Sequence, residues 1–284
     1  DMYGAHYKIS LILEKMGVEI TWLNVDESDK IDGYIKNNTR MVFCETPSNP
    51  LCKVIDITKT ANIIHKAGAL FVVDNTFATP FHQNPLKFGA HLVVHSATKA
   101  LGGHNDLMAG AIVGSKNDYD KLWFSRQALG TTLDAYSASL LERGLKTFNI
   151  RAERMSKNAQ AIAEFLENHP KINRIIYPGL ADDNGHSVAK QQMREGFGSM
   201  LAFDVGENQD DAKKFISNLN NIFHAVSLGS TESLICIPYL TTMLYMPAER
   251  RTTFGVHMNT VRLSTGIEKV DVLIHDIKQA LENI

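Results

Sequence analysis

Cysteine is scarce in this chain: Cys44, Cys52 and Cys236 are the three among 284 residues. The set is odd, widely spaced and has neither Cys-x-x-Cys nor metal-ligand spacing. That argues against a disulfide scaffold and a structural metal site, and predicts reduced thiols in a cytoplasmic protein. Charge of one sign is lacking too. Lys and Arg number 29 against 31 Asp and Glu, a net charge of −2, and the basic residues are scattered, so nothing points to nucleic acid or a membrane surface. No apolar run reaches the roughly 18 to 20 residues that span a bilayer. Internal repeats, low-complexity tracts and polar linkers are absent. What is present is a chain 44% hydrophobic, long enough for a large core or two domains. It opens at Asp1 without an initiator Met or a signal-peptide pattern, and Tyr3-Gly4 reads as the end of an element already under way. The expectation is that an N-terminal part of the first domain is missing.

The first half alternates strand and helix patterns. Tyr7 to Gly17 reads as a helix, Glu19 to Leu23 and Met41 to Glu45 as strands, and Ile57 to Ala67 as a helix closed by Gly68. Leu70 to Asp74, Leu92 to His95 and Ala109 to Val113 read as further strands. Short apolar runs between helices predict an α/β fold with a mostly parallel sheet, whose function gathers at the carboxyl ends of strands. A long helical pattern covers Leu133 to Asn168 with a break near Thr147 to Asn149. Beyond it, strands are expected at Arg174 to Tyr177, Ser199 to Val205, Asn221 to Val226 and Thr260 to Leu263, and helices at Asp210 to Asn218 and Lys269 to Leu281. The expected division is a large domain over 1–149 and a smaller C-terminal α/β domain over 150–284.

Two of the buried runs end in chemistry. Phe71-Val72-Val73 ends in Asp74, and Val93-Val94 leads through His95 into Ser96-Ala97-Thr98-Lys99. Taken singly these are a turn aspartate, loop hydroxyls and a surface lysine. Together they supply a lysine amine that condenses with an aldehyde, a carboxylate that holds a pyridinium proton and hydroxyls that bind phosphate. Those are the groups that pyridoxal 5'-phosphate (PLP) requires. Desolvation lowers the pKa of such a lysine and makes it a usable nucleophile.

Further segments point the same way: Tyr3-Gly4, Glu45-Thr46-Pro47-Ser48-Asn49-Pro50, Val73-Asp74-Asn75-Thr76-Phe77, Arg143-Gly144-Leu145-Lys146-Thr147, Tyr177-Pro178-Gly179, Val226-Ser227-Leu228-Gly229 and Arg262-Leu263-Ser264-Thr265-Gly266-Ile267-Glu268. In order and end to end, with Ser96 to Lys99, they resemble the PLP enzymes of cysteine and methionine metabolism. This is the γ-family of fold type I, which includes methionine γ-lyase, cystathionine γ-lyase, cystathionine γ-synthase and O-acetylhomoserine sulfhydrylase. The resemblance implies an aspartate aminotransferase-like large domain and a homotetramer built as a dimer of dimers. It makes Lys99 and Tyr3 catalytic, with Tyr3 stacked on the PLP ring. It places Asp74 on the ring nitrogen, Ser96 and Thr98 on the phosphate, Asn49 on the phenolate oxygen and Glu45 near the ring. Arg262 would grip the substrate carboxylate, with Ser227 and Val226 beside it.

Members of the group differ in what leaves the γ carbon and what replaces it. Cystathionine-handling members typically carry Glu before the serine, where this chain has Val226, which resembles methionine γ-lyase. The expected activity is therefore γ-elimination on a sulfur amino acid with an apolar γ substituent. Cystathionine γ-lyase and γ-replacement activities are the alternatives, and a catalytically silent scaffold is a minor one. Several positions depart from the family pattern. Ala5 replaces the reactive cysteine of methionine γ-lyase, and His6 is unusual, either an extra proton carrier or a polar residue at a helix start. The segment Ile237 to Met243 lacks the usual histidines, and Gln127 to Thr131 looks more like the cystathionine enzymes.

Overall fold

The computed structural model describes residues 4–244 and 246–284. Helix α1 (Gly4–Lys15) leads through an extended segment and a 3-10 helix to strand β1 (Met41–Glu45). Helix α2 (Ile57–Lys66) starts at Asp56, whose side chain accepts from the Lys59 amide, and buries Ile57, Thr60, Ala61 and Ile64. That spacing of i, i+3, i+4 and i+7 is one face of a helix. Strands β2 (Leu70–Asp74), β3 (Leu92–Ser96) and β4 (Gly110–Val113) follow, with the short helix α3 (Thr79–His82) between the first two. The sheet order is β1-β2-β3-β4. The first two pairings are parallel and the last is antiparallel. Phe71 and Val73 of β2, Val93 of β3 and the apolar face of α2 form one core.

Helices α4 (Lys116–Ala128), α5 (Ala135–Leu145) and α6 (Phe148–Glu167) lead out of this sheet. Then come β5 (Ile172–Ile176), α7 (His186–Gln192), β6 (Met200–Val205), α8 (Gln209–Ser217), β7 (Phe223–His224), β8 (Leu234–Cys236), α9 (Ala248–Thr253), β9 (Thr260–Ser264) and α10 (Val270–Glu282). The second sheet has order β5-β6-β9-β8-β7 and is antiparallel except where β7 meets β8. Its core joins α6, α8 and α10 to β6 and β9 through residues such as Ile162, Phe203, Phe215, Leu263 and Ile277. The α/β class and the mostly parallel first sheet agree with the expectation from the sequence.

Three local readings are corrected. Glu19 to Leu23 is not a strand. It pairs with no strand among the described residues and is half-exposed or exposed, so alternation alone did not make it β. The strand expected over Asn221 to Val226 shrinks to β7, both of whose residues are exposed at the sheet edge. Helix α4 was missed because it buries no residue and so offers no apolar period. The readable signal was its start, where the Asp118 carboxylate accepts from the Ser115 hydroxyl at 2.6 Å. Cys52 and Cys236 are buried free thiols and Cys44 is a half-buried one. No helix among the described residues is long and apolar enough to cross a membrane.

The approach to β7 is held by one carboxylate. Asp276 of α10 is 1% exposed and accepts from the amides of Asn220 (2.8 Å), Asn221 (2.8 Å) and Ile222 (3.0 Å). Asp276→Ala removes the acceptor of all three; the Ile222 amide is left as a buried orphan, which costs about 1–3 kcal/mol, and the other two fall back on water. We expect a loss of about 3 kcal/mol in thermal unfolding, and less for Asp276→Asn.

Candidate active site

The register of the first sheet creates the site's negative charge. Glu45 and Asp74 close β1 and β2 and are direct partners in the parallel ladder, so two carboxylates lie side by side. Glu45 accepts from the Asn49 amide at 3.1 Å, and Asp74 accepts from the Thr76 amide at 2.8 Å. Burial pushes the Asp74 carboxyl up to about 6, and the neighbouring Glu45 charge adds to this against the Thr76 hydrogen bonds and His6. His6 of α1 stands over the pair, 3.3 Å from Glu45 and 3.6 Å from Asp74.

Positive charge comes from the turn after β3 and from β9. Lys99 donates from Nζ to the Ser227 hydroxyl at 3.0 Å. Burial, and then the charge of Arg262, lower its pKa below that of an ordinary lysine. The strand around Arg262 is buried throughout. Arg262 is 1% exposed. Its Nη1 donates to Asn49 Oδ1 at 3.0 Å, and Nη2 donates to the Val226 carbonyl at 2.7 Å and the Ser227 carbonyl at 3.3 Å. Its Nε is buried without a hydrogen-bond partner among the described residues. That leaves one donor of the fork uncommitted for an incoming anion.

Of the residues singled out from the sequence, Lys99, Ser227, Val226, Arg262, Asn49 and Glu45 form one connected network, and Asp74 joins it through Glu45. Ser96 ends β3, and its amide donates to the Thr76 hydroxyl at 2.9 Å. Thr98 stands differently. Its hydroxyl donates to the Ala109 carbonyl at 3.2 Å and accepts from the Ala109 amide at 2.9 Å, so donating to a phosphate means leaving that carbonyl. Val226 is 54% exposed and enters the network through its carbonyl alone. Tyr3 lies outside the described residues.

Sequence reasoning missed Arg151. It is 4% exposed and donates to the carbonyls of Ala100 (2.8 Å) and Gly144 (2.7 Å), pinning the loop that follows Lys99. The available signal was an arginine on the apolar face of α6. The same loop is crowded from the second sheet, where a Cβ at Gly229 (φ +73) would lie 2.6 Å from the Ala100 nitrogen.

A family model described as Cys/Met metabolism PLP-dependent enzyme matches residues 1–282. The chain belongs to this family. It is 43% identical over its full length to a cystathionine gamma-lyase of Bacillus subtilis (strain 168), covering 75% of that protein. It is 42% identical, again over its full length, to an L-methionine gamma-lyase of Fusobacterium nucleatum subsp. polymorphum, covering 72% of it. The crystal structure of cystathionine gamma-lyase from Lactobacillus plantarum complexed with L-serine superposes with a TM-score of 0.96 at 35% identity, covering 100% of this chain and 74% of that one. The protein is thus a PLP-dependent enzyme of cysteine and methionine metabolism, in the carbon–sulfur lyase group, with the fold of the PLP-dependent lyases and synthases.

The donor set fits the cofactor. A lysine amine with lowered pKa, a half-buried carboxylate beside an imidazole and an uncommitted guanidinium nitrogen suit an aldehyde, a ring nitrogen and an anion respectively. When bound, PLP supplies an aldehyde for amines and a sink for electrons released at the α carbon. With the group bound, Lys99 would be the amine to hold and return a proton there, and its hydrogen bond to Ser227 orients it. A lowered Lys99 pKa means that the neutral amine appears at lower pH than on an exposed lysine. Arg262→Gln removes the second cause of that lowering and keeps the burial. The pH profile of PLP uptake by the apoprotein should then move upward by up to about one unit. An unmoved profile in a folded variant would show that the Arg262 charge does not act on Lys99.

Proposed function

We propose that the enzyme carries out γ-elimination on a sulfur amino acid and prefers an uncharged thioether such as L-methionine, giving 2-oxobutanoate, ammonia and methanethiol with the uptake of one water. Lys99 would hold the cofactor aldehyde at rest and, once the substrate amine has displaced it, would move the α proton, while Asp74 would hold the ring nitrogen and Arg262 would orient the substrate carboxylate. Ser96 and Thr98 would bind the phosphate, Asn49 the phenolate oxygen, and Tyr3 would assist departure of the γ substituent. The observation that carries the preference is Val226, whose backbone is bound to Arg262 and whose side chain offers a distal ammonium no partner. The reading includes a division near residues 149 and 150, in the first turn of α6, and a cytoplasmic homotetramer. Exposed apolar side chains at Met108, Phe124, Leu129 and Tyr136 support assembly.

One observation favours a second reading, C–S cleavage of cystathionine. Because Val226 is 54% exposed, an ammonium beside it keeps much of its water and the penalty against it is small. Discrimination at this position should therefore be mild.

The deciding measurement is kcat/KM for L-methionine and L-cystathionine. Release of 2-oxobutanoate from methionine, abolished in Lys99→Ala, supports the proposal. Cystathionine preferred by more than about tenfold overturns the methionine reading. Val226→Glu should shift the ratio toward cystathionine by no more than about fivefold, since exposed ion pairs contribute at most about 1 kcal/mol.

A further inference from the structure

The unusual residue of α1 lies where two carboxylates need a cation. His6 is 22% exposed and is wedged between Glu45 and Asp74 at 3.3 Å and 3.6 Å, with its ring 4.8 Å from that of Phe43 on β1. Two carboxylates in neighbouring ladder positions repel each other, and both are poorly solvated. Among the described residues, the other groups that touch them are neutral. The Asn49 and Thr76 amides donate to them. The Cys44 thiol is pushed far up by burial, and then by the charges of Glu45 and Asp74. His6 offers one ring nitrogen to each carboxylate. Both contacts are within ion-pairing distance, and only the imidazolium, whose charge is shared over both nitrogens, attracts the two carboxylates at once.

We propose that His6 is a positioning residue that bridges Glu45 and Asp74 as a cation and holds Asp74 in place for the cofactor's ring nitrogen. The inference rests on the assignment of Asp74 to PLP and not on the substrate preference. At 3.6 Å the contact with Asp74 is an ion pair rather than a hydrogen bond, so Asp74 Oδ2 is still able to accept from the ring nitrogen. The electrostatics agree. Burial alone lowers the His6 pKa, but contact with Glu45 and the charges of Glu45 and Asp74 outweigh it and leave the net shift upward.

The test is PLP affinity of the apoprotein against pH, read from the absorbance of bound cofactor, in wild type, His6→Asn and His6→Asn/Glu45→Gln. Asp74 pairs with the ring nitrogen only when ionised, so binding fails on the acid side as Asp74 takes up its proton. Without the His6 charge Asp74 keeps that proton to higher pH. His6→Asn should weaken binding about tenfold near neutrality and move the acid limb up by about one unit. The two proteins should converge at alkaline pH, where His6 is neutral. Adding Glu45→Gln removes the repulsion and should bring the acid limb back down. An unmoved acid limb in His6→Asn overturns the proposal, as does a uniform loss of affinity that the double variant fails to repair. Tight zinc binding by the apoprotein, lost in His6→Asn, also overturns it by making the trio a metal site. A wild type that takes up no PLP overturns the cofactor assignment along with it.

Discussion

A guanidinium 1% exposed cannot remain without acceptors, and the acceptors of Arg262 lie in separate parts of the chain. Asn49 follows β1 of the first sheet, whereas Val226 and Ser227 lie between β7 and β8 of the second. The requirement that this cation be satisfied therefore ties the two sheets together at the carboxyl ends of the first. Lys99 feels the same charge, which helps keep its amine available. Positional order and electrostatic tuning come from one side chain.

The carboxylate side of the site follows a different logic. Parallel pairing puts residues that end adjacent strands shoulder to shoulder, so Glu45 and Asp74 are close as a result of register. A fold that gathers acidic ends this way must supply neutralising donors from outside the sheet. Here they come from the Asn49 and Thr76 amides and from α1 through His6. The strands set the charge problem and the segments after and before them solve it.

Much of this was legible in the sequence, for physical reasons. β2 and β3 are short, apolar and buried, so their ends, Asp74 and the segment leading to Lys99, stood out. The apolar neighbours Val261 and Leu263 argued that Arg262 lies in a buried strand rather than in a surface salt bridge, and it does. Arg151 was readable as a buried arginine on the apolar face of α6, but not what it binds, because its partners are carbonyls of Ala100 and Gly144 that carry no side-chain signature. The pairing of His6 with both carboxylates was equally hidden, since it depends on α1 crossing the end of the sheet. Helix α4 has no buried face to read, and the exposure of Val226 depends on how the chain leaves β7.

Val226 and Ser227 are neighbours with opposite obligations. Ser227 commits its hydroxyl to Lys99, so its identity is constrained by the reaction. Val226 contributes a carbonyl, a group every amino acid possesses, while its side chain projects into solvent. Exchanging that side chain leaves the guanidinium's hydrogen bond intact. On the proposed reading, a change of side chain here adjusts which amino acid is preferred without disturbing the hydrogen bonds beneath it.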